Sequence, residues 1–503
     1  MKGLLLNILL ILILQSCSSP PPYYYKKIKI NYSDSNLVGI YPILNADSAK
    51  INGYHFTYDE KNRPIQIEYL QNGVISSNAP YLKIPMIKID YSEGFKSRSY
   101  FDKLGNKIEI KGVHKVRIKM DKKGHAISVF HYDKKGKITK DEYGVNKYNF
   151  TVNNLGWRIK SNSIDKKGNR INSSHGIAEV HNEYDDKGNL VQQKFYSLDG
   201  ILKQDKTGIA MIRLKYDEYG NAIESKNYGT DEQLKENINA IAMYQHKYDE
   251  EGNKIETKIY GVNELLKENS DGIAIYRSSY DEYGNMIEIK NYDGNERLKE
   301  DNKRVAIYRY KYDEEGNNIE QRNYGTDEQF KEANDGVAMY RFKYDGKGNV
   351  FEQRNYGTDE QLKENKYNTA MYQFKYDEEG NNIETKIYGV NELLKENSDG
   401  IAIQRNKWDE EGNRIESKMY GANELLKENI DGIAMYRYKY DEYGNQIERR
   451  NYDSDAWLRE DNNGIAMYRY RYDEYGNEIE KKMYGTDDKL KENSIGAAIY
   501  RWK

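Results

Sequence analysis

Apolar and polar residues alternate along most of the chain with period two. The segment 433–440 reads IAMYRYKY. Ala434, Tyr436, Tyr438 and Tyr440 point one way, and Ile433, Met435, Arg437 and Lys439 point the other. Such a run, rich in β-formers, predicts a strand. Asp441-Glu442-Tyr443-Gly444 follows and fits a type I turn, with Asp first and Gly fourth. A left-handed Gly444 would close a bulged hairpin. On the return strand Ile447 and Tyr452 have opposite parity, which predicts a bulge or bend between them. A second turn is expected at Asp453-Ser454-Asp455, and a short third strand from Leu458. The equivalent TDEQLKEN segments have a short helix as rival reading, because Thr-x-x-Gln resembles a capping box. Eight residues make only a marginal helix, so β is preferred.

The pattern is strictly periodic. Aromatic residues followed by Asp recur every 32 positions, from Tyr184 through Trp408 to Tyr472, in ten units. Counting the aromatic as zero, position 4 is always Gly, 5 Asn, 12 Tyr and 26 Ala. Position 7 is Ile except for Val191 and Phe351, and position 18 is Leu except for Phe330. Two turn-like units lie 12 and then 20 residues apart. Upstream the rhythm persists in worn form at Val152 and Ile164, Met120 and Tyr132, Phe101 and Tyr58. The expected organisation is degenerate hairpin repeats over 51–183 and ten regular repeats over 184–503. A unit this small must bury its apolar positions against its neighbours. The fold is therefore expected to be all-β: an elongated twisted β-hairpin ribbon or a β-solenoid. A two-helix repeat would place the invariant Gly-Asn inside a helix. The invariant Ala marks a place with no room for a larger side chain.

Residues 1–16 differ from the rest. Lys2 precedes an apolar run from Leu4 to Leu14, broken only by Asn7. It is too short for an ordinary membrane span and has the length of a signal-peptide core. The run ends in Leu14-Gln15-Ser16-Cys17, which resembles the lipobox of bacterial lipoproteins. The resemblance implies cleavage after a 1–16 signal peptide and lipid attachment, palmitate among the acyl chains, at Cys17. Two or three acyl chains give stable anchoring where one does not. The membrane is thus an expected partner through Cys17, with 17–50 as tether and lead-in, opening on Ser18-Ser19-Pro20-Pro21-Pro22. In didermic lipoproteins Asp after the lipidated Cys favours inner-membrane retention. Ser18 favours the outer membrane, so the outer membrane or cell surface is the expected address. The alternative is an ordinary signal peptide with a chance Cys.

The repeat itself resembles hairpin repeats of the Rhs/YD type, which read Tyr-Asp-x-x-Gly-Asn/Arg before an apolar residue. MORN-type antitoxin-like repeats use similar grammar. The resemblance implies repeat architecture. Rhs proteins build a cocoon around a toxin domain from many more repeats, and no such domain is expected here, so toxin delivery does not carry over.

Composition narrows the function. Hydrophobic residues make up 37% of the 503, with 49 Tyr against 10 Phe and 4 Trp, so a deep aliphatic core is excluded. The charge sum, 78 − 81 = −3, speaks against nucleic acid as a partner, which needs a concentrated basic surface. A single Cys excludes a disulfide framework. All seven His precede residue 247, none in a His-Glu-x-x-His arrangement. There is no nucleophile elbow and no phosphate loop. No enzyme, catalytic residue, cofactor or metal is expected. Asp441, Glu442 and Asn445 could offer oxygens to calcium, but calcium needs more of them converging. Asp capping its own turn is the preferred reading. Tyr436, Tyr438 and Tyr440 are the candidate binding residues. Their row could be core, a protein-binding face, or a platform for sugar rings. The expected function is non-enzymatic: a lipid-anchored envelope protein presenting an extended protein-binding surface. The alternatives are glycan or peptidoglycan binding through the Tyr rows, and a passive spacer.

Overall fold

The computed structural model describes residues 23–31, 35–43, 52–77, 79–80, 83–410, 412–441, 445–472 and 478–502. Cys17, its leader and the turn residues 442–444 lie outside the described residues. All described regular structure is β: thirty-two strands, antiparallel, in a sheet not closed into a barrel. From β6 (Met86–Ser92) to β32 (Ile499–Arg501) each strand pairs with the next along the chain.

The regular repeat is clear at β28 (Met435–Tyr440), β29 (Gln446–Tyr452) and β30 (Met467–Tyr472). β28 and β29 pair along their whole length. β29 meets β30 only through Glu448↔Arg469, Arg449↔Tyr468 and Arg450↔Met467. One edge of the ribbon is therefore flush and the other splayed, and residues 453–466 fill the splay.

Turn chemistry explains the flush edge. In the copy at Asp217, the amides of Tyr219 and Asn221 donate to Oδ1 at 3.0 and 2.8 Å. Asn221 Nδ2 donates to Oδ2 at 2.7 Å, and Gly220 has φ +82°. Asp, Gly and Asn thus have separate jobs in one turn. The bulge lies beside this turn, between Lys439 and Tyr440. This corrects the expectation of a bend between Ile447 and Tyr452. Lys439 pairs with Glu448 and Tyr440 with Gln446, so the extra residue is Ile447 at the start of the return strand, and β29 pairs without a further shift from Glu448 to Tyr452. The same shift occurs at Thr57/Tyr58, Lys119/Met120 and Thr151/Val152 in the worn segments. β6 and β7 (Phe95–Phe101) pair without it.

The splayed edge contains two turns. One runs from Gly229 to Gln233 (N to O, 2.9 Å) and the next from Asn237 to Ile241 (3.0 Å). Between them the expected third strand shrinks to a single bridge, Tyr228↔Leu234, or Tyr452↔Leu458 in the copy read from sequence. Two reversals only eight residues apart leave no length for a ladder or a helix. The 20-residue interval therefore hides a third turn.

The core sits where this edge folds over the strand ends. Ile433, Ala434 and Met435 are 0, 0 and 2% exposed, and the triplets at 273–275, 305–307 and 337–339 are fully buried. Ala434 N donates to Tyr452 O at 2.8 Å, while Met419 N donates to Ala434 O at 2.9 Å. One small residue thereby ties two repeats. Beside it, Asn355 donates from Nδ2 to Thr369 O at 2.9 Å, and Met419 replaces that polar contact with packing on Ile401 and Ile433.

The N-terminal region builds its own core from Tyr54, Phe56, Ile67, Ile84, Ile87 and Ile118. The stretch read as lead-in contains β1 (Tyr24–Ile30) and β2 (Leu37–Pro42), joined to β3 (Gly53–Tyr58) and β4 (Pro64–Gln71). These strands pack on flush-edge turns far along the chain. Asn221 Nδ2 donates to Tyr41 Oη at 2.6 Å, Gln71 Nε2 to Asn285 Oδ1 at 3.2 Å, and Ser76 Oγ to Glu315 O at 2.9 Å. The ribbon therefore coils back on its own beginning. At Gly316 a Cβ would run into the Gln71 amide, so glycine is required there by contact as well as by its φ of +74°.

Ala338→Leu is expected to overpack the repeat junction and cost about 1–3 kcal/mol. A urea unfolding midpoint equal to that of the parent protein would disprove the close approach.

Candidate binding surface

The ribbon presents two unlike faces and a ridge. One face carries Arg and Lys from each shorter strand against Glu from its longer neighbour. Glu320 meets Arg322 at 2.7 Å, Arg341 at 2.9 Å and Lys311 at 3.0 Å. Burial alone would raise this carboxyl. The hydrogen bonds from Arg322, Arg341 and Lys311 outweigh burial and hold it at about 2. Glu448 is held at about 2 in the same way by Arg450, Arg469 and Lys439. Arginines of the shorter strands also lie over the invariant Tyr of the next strand: Arg309 over Tyr324 at 4.5 Å, Arg405 over Tyr420 at 4.8 Å. The second turn joins this lattice. Glu360 sits at φ +58°, a costly conformation for a residue with a Cβ. Its carboxylate receives Arg322 Nη1 at 3.2 Å, a tertiary contact that offsets the strain.

The opposite face carries the candidate tyrosines. Tyr440 Oη donates to Arg414 O of the preceding hairpin at 3.0 Å. The same bond recurs at every repeat aromatic from Tyr184 to Tyr472. Trp408 makes it with Nε1, at 2.9 Å to Asn382 O. An aromatic ring with a donor is what this position needs, which explains Tyr or Trp and not Phe. Tyr438 receives Arg414 Nη2 at 3.3 Å, and Tyr436 receives Asn429 Nδ2 at 3.4 Å. All three are half-buried, with their hydroxyls engaged inside the protein. Neighbouring rings pack along the strand, as in Tyr308 and Tyr310 at 6.5 Å.

The ridge was not foreseen from sequence. Seventeen residues after the repeat aromatic, on the second turn, stand Leu393, Leu425 and Trp457 in three consecutive repeats, 65, 66 and 73% exposed. Ile430, on the third turn of the middle one of these repeats, is 65% exposed. Its amide donates to Asp399 O of the previous repeat at 3.0 Å, so the third turns stack. The available signal was the change at this turn position from Gln329 and Gln361 to Leu and Trp.

Among the described residues no three His, Cys, Asp or Glu side chains converge as metal ligands. In the turns, both Asp217 oxygens are occupied by the turn itself, as are both Asp441 oxygens by Asn445. The histidines stand in separate settings: His246 against Thr257 Oγ1 at 3.0 Å, His55 against Glu68 at 3.3 Å.

No family model and no curated protein matches the chain. Among solved structures it is similar to the crystal structure of TcdB2-TccC3-TEV, with 11% identity and a TM-score of 0.30, over 88% of this chain and 25% of that one. It is similar to TcdB2-TccC3 without its hypervariable C-terminal region, with 12% identity and a TM-score of 0.28, over 86% and 26%. It is also similar to the Photorhabdus luminescens Tc holotoxin pore, with 12% identity and a TM-score of 0.20, over 90% and 28%. The chain spans about a quarter of the length of these chains. The hairpin repeat implied by the Rhs/YD resemblance is the architecture observed.

Two outcomes follow from the faces. Carboxyls held at about 2, below the ordinary 4.5, contribute stability that is complete above pH 4.5. That contribution should be lost as pH falls from 4.5 toward 2, read as a falling urea midpoint across this window. At the repeat aromatic, Trp408→Phe should cost about 0.5–1.5 kcal/mol by removing the donor, while Trp408→Tyr should restore most of it. Equal midpoints for the Phe and Tyr variants would remove the role assigned to the donor.

Proposed function

We propose that the protein is a non-enzymatic, lipid-anchored repeat protein of the cell envelope. Cys17 would hold it at the outer membrane or cell surface, and the array would present a long surface to a protein partner. The observation that supports this most is the ridge of Leu393, Leu425 and Trp457, together with the exposed Ile430. Exposed apolar side chains at matching positions of successive repeats favour a partner that spans several repeats, each adding a little. A glycan platform needs free aromatic faces. Here Tyr436, Tyr438 and Tyr440 are half-buried and bonded to their own neighbours, which favours protein over sugar. Neither nucleic acid nor a cofactor enters this reading.

The test is a pull-down with acyl-free protein starting at Ser18, from separated protein and polysaccharide fractions of the envelope. One protein should be captured, and capture should be lost in Leu393→Ser/Leu425→Ser/Trp457→Ser with an unchanged circular dichroism spectrum. Capture by polysaccharide alone would overturn the reading in favour of the Tyr rows. For the anchor, Cys17→Ser should move the full chain out of the membrane fraction.

A further inference from the structure

One place breaks the repeat on the Tyr face. Nine residues after the repeat aromatic, the side chain is uncharged in the first eight regular units, from Gln193 to Ser417. It becomes Arg449 and then Lys481 in the last two. Register puts Arg449 opposite Tyr438 on one side and Tyr468 on the other, and Lys481 opposite Tyr470. Both cations line a cleft of about 330 Å³, a volume at the lower end of small-ligand sites.

The charges in this cleft are unevenly satisfied. Asp461 takes the Tyr468 hydroxyl at 2.7 Å and the Asn463 amide at 3.0 Å, and Asp431 takes Asn462 Nδ2 at 2.7 Å. The cations are freer. Arg449 reaches Asp461 only through Nη2, at 3.4 Å, and its buried Nε has no hydrogen-bond partner. The Lys481 ammonium makes no ion pair or hydrogen bond among the described residues and rests over the rings of Tyr468 and Tyr470 at 4.7 and 5.9 Å. On the opposite face the corresponding cations meet carboxylates, as Arg450 and Arg469 meet Glu448.

We infer that this cleft receives a carboxylate side chain of an acidic peptide segment, held by Lys481 and Arg449. Ring-backed cations bind a carboxylate through charge-assisted hydrogen bonds, and here Arg449 has only one long contact to its own anion and Lys481 has none among the described residues. Arg449 lies over Tyr468 at 4.4 Å and over Tyr436 at 5.5 Å. The ring faces are thus already covered by cations, which disfavours stacking of a sugar and favours a flexible acidic side chain. The assignment rests on the protein-partner reading and gives that partner a chemistry: an acidic stretch beside its apolar contact.

The experiment is fluorescence anisotropy of a labelled pentaglutamate peptide with the full chain in detergent, and pentaglutamine and glucuronate as competitors. Pentaglutamate should bind and neither competitor should displace it. Lys481→Gln and Arg449→Gln should each weaken binding about tenfold. Arg449→Lys should retain most of it, and Lys489→Gln, at an exposed cation outside the cleft, should change nothing. Absence of pentaglutamate binding, or binding to either Gln variant as tight as to the parent protein with unchanged circular dichroism, would overturn the cleft. Displacement by glucuronate at equal concentration would overturn the peptide assignment. The Leu393/Leu425/Trp457 variant separates the two proposals. Loss of partner capture with peptide binding intact places the fault or the success of each independently.

Discussion

The structure depends on a backbone junction that only a small residue permits. At each repeat boundary an alanine gives its amide to the hairpin ahead and its carbonyl to the hairpin behind, as Ala434 does with Tyr452 and Met419. The flanking Ile433 and Met435 are closed off because the chains approach so nearly there. This contact keeps the splayed edge folded over the strand ends. Without it, pairing between hairpins would rest on three-residue ladders such as that of β29 with β30.

A single-layer sheet has no second layer to cover it, and this chain substitutes long amphipathic side chains. Tyrosines close one face with rings and tie repeats together with hydroxyls. Arginines and lysines close the other, laying their stems and planes over Tyr and their charges against Glu. Opposite charges along the strands also discourage edge-to-edge association. The low aliphatic content and the even charge count are two views of the same solution. Departures from it, at the apolar ridge and at the sparsely paired Arg449 and Lys481, are therefore informative about partners.

Much of this was legible in the sequence because turn chemistry is local. Asp at the first position, Gly at the fourth and Asn at the fifth carry their own geometry, and the parity of Tyr436, Tyr438 and Tyr440 against Met435, Arg437 and Lys439 needs no tertiary information. The third turn was hidden because its signature varies. Its left-handed residue is Gly in seven of the ten regular units, as at Gly272, but Ala240, Arg304 or Asn368 in the other three. The second turn was expected, but not that its strained position is a Glu such as Glu360, held by a cation from another repeat. The bulge was misplaced because parity counts residues but does not locate the extra one. The cleft of Arg449 and Lys481 required strand register, and the ridge required exposure. Cys17, read from its local motif, lies outside the described residues.

The coil has a consequence for the order of events during synthesis. β1 to β4 share a hydrophobic core with residues as far as Val129 and leave the ribosome before the repeats on which they dock. Their docking surface does not yet exist: Tyr41 meets Asn221, 180 residues later, and Ser76 meets Glu315, 239 residues later. Repeats between them propagate through neighbour contacts alone, each added as it is made. The closure of the coil onto its first strands is thus a late, long-range event on a ribbon already formed. Its pitch is fixed when the growing array first returns to its own start, so the number of repeats in that interval acts as a ruler.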